Sequence, residues 1–583
     1  MIEQNSAIRA GGRGRTFLVW ALLAGTLTAI GSAAQAQDRP SEADMFGGSA
    51  PSAAPDAGAD ADAGALTPFG GDADGPPPSD LLSAVAVTGV ATSTSTSTAT
   101  ATATKSAGEE SRDQLNLGAP GEETRLSGEV APEDPLKIGG QIYMRAQTSA
   151  MQDQAAGDWS LSSPSLLDVY MDVRPNDRVR GYVRGRMSFD PTLPQTANSS
   201  LSINTAGAQG GYSNGGASSL NSLLGQQGTR TPRVALDQMW LRFDLKHTVF
   251  VTAGRQHVRW GTARFWTPTD FLHITSRNPL DVFDARTGTT MIKLHLPWES
   301  QGWNFYAYGL TESADATQTA SKVAGAARAE IVLGAAELGL GALFQRGRKP
   351  KMAADFSAGV WDLDFYGEVA LRFAQDIDRV RFDSNVDPSS LSLGPPPTGT
   401  VDQNALAEFF GPAISKLYPV SPSSGVKPQA TGGVSYAIQY ADKDVFTLGA
   451  EYFYNGLGYS DTAVYPGLIL PHSQPLREPA SFFYLGRHYA AVFASLPAPY
   501  SWDNTTFTLS NLANLSDFSG ITRFDYSLVL LTHLRFEAFA AVRWGERKGE
   551  FRLGSDPTVL GSYSDRGRSP SLFDLGVGLR VAI

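Results

Sequence analysis

From residue 136 to residue 583 the side chains alternate by chemistry, and this period of two constrains the fold more than any other feature. In 178–189, Arg178, Arg180, Tyr182, Arg184, Arg186 and Ser188 share one parity, and Val179, Gly181, Val183, Gly185, Met187 and Phe189 share the other. A strand sends successive side chains to opposite faces, so this segment has one charged face and one apolar or small face. A helix would scatter the same arginines around its circumference. The pattern returns in 362–374, where Asp362, Asp364, Tyr366, Glu368 and Arg372 oppose Leu363, Phe365, Val369, Leu371 and Phe373. It returns again in 534–544, and the chain ends with Phe573, Leu575, Val577, Leu579, Val581 and Ile583 on one parity.

Alternation fits either a soluble antiparallel sheet with one wet face or a transmembrane barrel with a wet interior. Connection lengths separate the two. The sequence reads as about 18 strands, with 16 as the alternative count. Links after even-numbered strands are short, such as Pro175-Asn176-Asp177 and Leu245-Lys246-His247. Links after odd-numbered strands are mostly long, at 191–232, 257–285, 376–428, 456–487 and 546–569, with a short exception near Gly347 to Pro350. Short turns on one rim and long loops on the other characterise a membrane barrel. The expectation is therefore an all-β, transmembrane antiparallel β-barrel over 136–583. In lipid every backbone donor and acceptor must be satisfied within the protein, which requires a spanning sheet to close on itself. Charged faces then point to the lumen, because Lys or Arg on the lipid face at the midplane costs about 2–4 kcal/mol. Trp240, Trp303, Tyr452, Tyr454, Trp502 and Trp544 are candidates for the aromatic girdles at the two interfaces.

The remainder of the chain reads differently. Arg9, Arg13 and Arg15 precede an apolar run from Phe17 to Ile30, and Ala34-Gln35-Ala36 offers small residues, so 1–36 reads as a secretory signal peptide. Residues 37–135 carry 17 acidic and 4 basic side chains and few large apolar ones. They read as a disordered, low-complexity acidic linker, because burial cannot offset the entropy of ordering them. The net charge of −11 thus belongs to one segment, and 136–583 holds 40 acidic and 40 basic residues. That balance argues against a nucleic-acid-binding surface. The absence of cysteine excludes disulfides, thiol nucleophiles and Cys-ligated metals. No later stretch approaches the ~20 apolar residues of a spanning helix.

In its export signal, alternating strands, one-sided long loops and apolar last strand, the chain resembles the bacterial porins. The stretch from Arg259-Trp260-Gly261 to Asn278-Pro279-Leu280-Asp281 is similar to a segment of large, poorly characterised porin-like barrels. The resemblance implies a bacterial outer-membrane location with the linker in the periplasm. It also implies passive diffusion of small hydrophilic solutes, and a third long loop, 257–285, that folds inward and narrows the path. Read by itself, that loop is dense in Arg259, Arg264, Asp270, His273, Arg277, Asp281 and Asp284, interleaved with aromatics and stiffened by Pro268 and Pro279. A compact inward element suits such a composition better than a solvated cap or a lipid face. Arg178, Arg180, Arg184 and Arg186 would form a positive ladder in the lumen. It attracts anions if free, or is paired by Asp168 and Asp172 on one side and Asp237 and Asp244 on the other. His257, His273 and His295 are scattered in sequence, and neither a Walker-type loop nor a nucleophile elbow is present, so no enzyme, cofactor or metal site is expected. The expected partners are outer-membrane lipid and the barrel-assembly machinery, with a homo-oligomer left open. The alternative is a surface adhesin whose long loops bind outside ligands over a closed pore.

Overall fold

The computed structural model describes residues 135–583 apart from several stretches, the longest being 193–201, 205–231, 312–322, 395–402 and 554–570. The readings of 1–36 and 37–134 lie outside the described residues. Eighteen strands form the wall. They are β1 (Leu136–Ala150), β2 (Ser165–Asn176), β3 (Val179–Phe189), β4 (Arg233–Leu245), β5 (Val249–Gln256) and β6 (Thr289–Trp298). Next come β7 (Trp303–Leu310), β8 (Ala324–Leu333), β9 (Ala336–Gln345), β10 (Lys351–Val360), β11 (Leu363–Phe373) and β12 (Val426–Gln439). The last six are β13 (Val445–Asn455), β14 (His488–Pro497), β15 (Thr505–Asn514), β16 (Ser519–Leu531), β17 (Leu534–Gly545) and β18 (Phe573–Ala582).

Each strand pairs antiparallel with the next. β18 returns to β1, with Gln141 opposite Ala582 and Ala150 opposite Phe573. The sheet is therefore closed and has no free edge. Turns after even-numbered strands are short, as at 177–178, 246–248 and 532–533, and the long connections leave odd-numbered strands. Two odd-numbered links are short, 346–350 as expected and also 515–518 after β15.

Burial along the wall inverts the soluble pattern. On β6, Ile292, Leu294 and Leu296 are 41–47% exposed, whereas the intervening Lys293 and His295 are 8–9% exposed. Ile138, Met144, Val169, Met239, Leu241, Val492, Leu509, Val577 and Leu579 are likewise exposed, while Asp168, Asp237, Arg328, Glu368, Glu451 and Arg580 are buried. An apolar belt facing outward around a polar interior is what alternation produces when the outer solvent is hydrocarbon.

Aromatic type misplaces one residue that alternation would have placed correctly. Trp240 does not stand in an outer girdle: it is buried and stacks on Tyr182 with ring centroids 5.4 Å apart. It shares the parity of Gln238 and so points inward. Tyr452 and Trp502 are exposed, as are Trp298 and Trp361.

The interior holds two large apolar clusters and one small one. One joins Phe265 and Trp266 to Phe453, Tyr489, Phe493, Leu512, Ile521 and Ala541 on β13–β17, and to residues of the long loops 374–425, 456–487 and 546–572. Ile414 from α1 (Gln403–Leu417) and Tyr465 and Leu468 from α2 (Tyr465–Ile469) belong to it. A second joins Trp260, Phe271 and Leu272 to β6–β11. Against β1 and β2 the buried apolar set shrinks to Tyr143 and Leu166.

Candidate functional site in the barrel lumen

The connection between β5 and β6, residues 257–288, makes its contacts with inward-facing side chains of distant strands. Its backbone amides cannot join a ladder, and a buried N–H without an acceptor is costly, so something on the wall must accept them. Two glutamates do. The carboxylate of Glu368 on β11 accepts from Ala263 N at 2.7 Å and from the Thr269 hydroxyl at 2.6 Å. The carboxylate of Glu451 on β13 accepts from Arg264 N at 2.9 Å, Phe265 N at 3.1 Å and Trp266 N at 2.9 Å, with the Tyr366 hydroxyl donating at 3.2 Å. Gly261 has φ 97°, and a Cβ there would collide with the Glu368 carboxylate. Glycine is required both for the left-handed conformation and for the close approach.

Aromatic rings then fasten the segment. Trp266 stacks on Phe453 at 5.6 Å and donates from its indole to the Phe483 carbonyl at 3.1 Å. Trp260 meets Tyr308 edge-on at 5.7 Å, and Arg328 lies over the Trp260 ring while its guanidinium is held by Asp355 at 2.7 and 2.9 Å. Further along, the Leu280 carbonyl accepts from Arg523 on β16 at 2.8 Å.

The arginines of β3 are paired. Arg180 grips Asp172 with two bonds of 3.0 and 2.9 Å. Arg184 donates to Asp168 at 2.5 Å and Arg186 to Asp168 at 3.0 Å. Both also approach Asp237, at 3.6 and 3.4 Å. Strict alternation would turn Asp237 outward beside Met239. The register instead jumps between Arg184 opposite Gln238 and Gly185 opposite Leu236, leaving Asp237 as the extra residue of a bulge. The bulge turns the Asp237 carboxylate into the lumen, where it is fully buried and also meets His257 Nε2 at 2.9 Å. Arg178 is not part of the ladder. It lies in the turn before β3, exposed, with its amide bonded to the Asn176 side chain at 3.0 Å.

The fold assembles a cluster that sequence spacing did not reveal. The rings of His257 and His273 lie 5.7 Å apart. His273 Nδ1 is 2.9 Å from Asp270, whose carboxylate also accepts from Arg286 at 3.1 Å. Burial alone would raise the Asp270 carboxyl, but the His273 ring and Arg286 outweigh it and hold it at about 2. Burial pushes the His273 imidazole below its ordinary value, against the pull of Asp270. His295 stands apart from this pair, stacked on Tyr306 at 4.8 Å and bonded to Asn304 at 3.1 Å. Among the described residues no three His, Asp or Glu side chains could together hold a metal ion.

The other expected site residues fall as follows. Arg259 donates to the Ala263 carbonyl within the loop. Arg264 lies 3.8 Å over the Phe493 ring, with Nε and Nη2 enclosed. Arg277 is buried, and its carbonyl accepts from the Tyr484 hydroxyl at 3.3 Å. Asp281 and Asp284 lie outside the described residues. Glu368, Glu451 and Gly261, which hold the loop, were absent from the sequence-derived site. Only the inward parity of the two glutamates marked them in advance.

No protein-family model matches the chain, and no curated protein does. Among solved structures it is similar to OccAB1 of Acinetobacter baumannii at 11% identity and TM-score 0.42, covering 77% of this chain and 96% of that one. It is similar to OccAB4 of the same organism at 7% identity and TM-score 0.40, covering 78% and 99%. A mutant of the Rhodopseudomonas blastica porin aligns at 10% identity and TM-score 0.33, covering 77% and 100%. Likeness at this level carries no argument about function, and the architecture described above rests on the strand pairing itself.

Proposed function

We propose that the protein is a porin-like channel of a bacterial outer membrane, passing small hydrophilic solutes by passive diffusion along a lumen narrowed by the loop 257–288. The observation that carries this reading is the inversion of polarity across a closed wall. Exposed Ile, Leu, Val and Met side chains face outward, and buried, paired charges face inward. Closed 16–18-stranded barrels are wide enough for an aqueous channel. The narrowing is supported by the five loop amides that hang on Glu368 and Glu451, since both carboxylates share the inward parity of the wall. In this reading 1–36 directs export, 37–135 lies in the periplasm, the outer belt meets lipid, and the assembly machinery inserts the barrel, with or without association of copies.

The deciding experiment is conductance of the purified protein in a planar bilayer. Stepwise openings are expected, and removing 262–284 should raise the size of each step. A barrel that inserts but passes no current would favour the adhesin reading, which gains some support from the apolar cluster joining three long loops to β13–β17. An unchanged step size after the deletion would place the narrowing elsewhere.

A further inference from the structure

The seam where the barrel closes carries an unusual contact. Arg145 of β1 and Phe539 of β17 belong to strands separated by β18, yet the Arg145 guanidinium lies 4.0 Å over the Phe539 ring. They meet because β18 is bare between them. Gly578 stands opposite Arg145 and Gly576 opposite Phe539, both on the inward parity of Asp574 and Arg580. A Cβ at Gly576 would collide with the Phe539 ring, and one at Gly578 would sit 3.0 Å from Tyr143. Arg523 approaches the same ring, at 4.6 Å.

Charge bookkeeping along this seam leaves one cation over. Arg523 is held by Asp525 at 2.6 Å, Arg543 by Asp574 at 2.6 Å, and Arg580 by Glu537 at 2.7 Å. Arg145 makes no ion pair among the described residues, its Nε has no hydrogen-bond partner, and the side chain keeps partial exposure. Asp574 and Asp525, the carboxylates that act on it across space, are already engaged. The β3 arginines are each within reach of a carboxylate, with Arg180, Arg184 and Arg186 set against Asp168, Asp172 and Asp237, and Arg174 of β2 also reaches Asp172, at 3.4 Å. Among the described residues three other arginines stack on rings without a carboxylate, one of them Arg379, 3.7 Å over Tyr459 in the loop after β11 and bonded to the Leu457 and Gly458 carbonyls. Arg264 is enclosed against Phe493, and Arg242, over Phe250, stands near the end of β4 at the short-turn rim.

We infer that Arg145, held over Phe539 on a glycine floor, sets the preference of the lumen for permeant anions, and that the more conspicuous β3 stripe does not. The inference rests on the channel reading. A cation without a carboxylate partner, part-way along the wall, acts on passing ions over a few ångströms of poorly screened water, whereas paired charges cancel at that range. The aromatic face holds the guanidinium without neutralising it.

The test is the reversal potential of single channels in a potassium chloride gradient. Arg145→Gln should lower the anion-to-cation permeability ratio about tenfold, since one unit charge acting at about 6 Å in water changes the access of each ion about threefold and in opposite senses. Arg145→Lys should keep the ratio, and so should the charge-neutral double change Arg180→Gln with Asp172→Asn, which removes a whole pair from the β3 stripe. Phe539→Glu, which sets a carboxylate beside an intact Arg145, should reproduce the loss and serves if Arg145→Gln fails to fold. An unchanged ratio in both Arg145→Gln and Phe539→Glu channels that still conduct would overturn the inference. Absence of current in the unmodified protein would instead remove the channel reading beneath it.

Discussion

The two sides of the lumen obey one alternation and reach opposite results. Along β13–β17 the inward residues include Phe453, Tyr489, Phe493, Leu512 and Ile521, and three long loops together with Phe265 and Trp266 complete an apolar core against them. Along β18 and β1–β4 the inward residues include Tyr143, Tyr182 and Trp240 but are mostly charged: Asp574 and Arg580 are paired with Arg543 and Glu537 of β17, Asp168 and Asp172 with Arg180, Arg184 and Arg186, and Arg145 lies over Phe539. The first side is built like the interior of a soluble domain and excludes water. The second is a lattice of ion pairs in which Arg145, Arg180, Arg184 and Arg186 keep partial exposure while Arg580 is buried. The lesson is that an inward parity specifies only a face turned away from lipid. Whether that face is wet depends on which loops settle on it.

The sharpest way to break this comparison is to remove one large side chain from each half. Trp266→Ala should cost about 3–5 kcal/mol in detergent-solubilised thermal unfolding, because the ring is fully enclosed and its cavity cannot collapse. It should also enlarge the conductance step. Asp168→Ala should cost less, about 1–3 kcal/mol, since Arg184 and Arg186 retain Asp237 and can turn toward water. Equal costs would mean that the second half is as dry as the first.

A pH series sharpens the contrast further. Glu550, in the loop after β17, is buried against the first half, accepting from the Tyr489 hydroxyl at 2.6 Å and from Asn514 at 2.9 Å. Burial, and then the nearby Asp517 charge, push its carboxyl up to about 8 against those hydrogen bonds. The folded protein therefore holds a proton that the unfolded chain releases near 4.5. The resulting stability is full below that value, falls as pH rises toward about 8, and is level above it. Glu550→Gln should flatten the slope in a thermal melt series, and an unaltered slope would assign it to other groups. The smallest effect is expected outside the lumen altogether. Trp361, 93% exposed in a short turn, should cost no more than about 0.5 kcal/mol in detergent when replaced by Ala. A larger loss would show that this rim is packed against something.

Much of the wall was readable from residue order. The alternating stretches 178–189, 362–374 and 534–544 coincide to within a residue with β3, β11 and β17, because a period of two repeated over ten residues leaves little freedom of assignment. Pairing of Arg180, Arg184 and Arg186 was one of two readings of the stripe, supported by the short turn at 177–178, which makes β2 and β3 neighbours. Trp240 was misassigned because aromatic type suggested an interface while parity pointed inward. Asp237 could not be placed, since a bulge moves one residue across the sheet with no marker in composition. The His257–His273 contact and the two glutamates that seat the loop join segments as far as 187 residues apart, and spacing says nothing at that range.

What residue order determined by itself was the closed wall and the sorting of its two faces, because strand geometry and backbone hydrogen bonding are local rules applied eighteen times. What only the tertiary structure decided was where the loops come to rest, and with them which inward charges are matched. Those outcomes depend on buried amides finding acceptors and rings finding cavities across the lumen, and such partners are selected by distance in space.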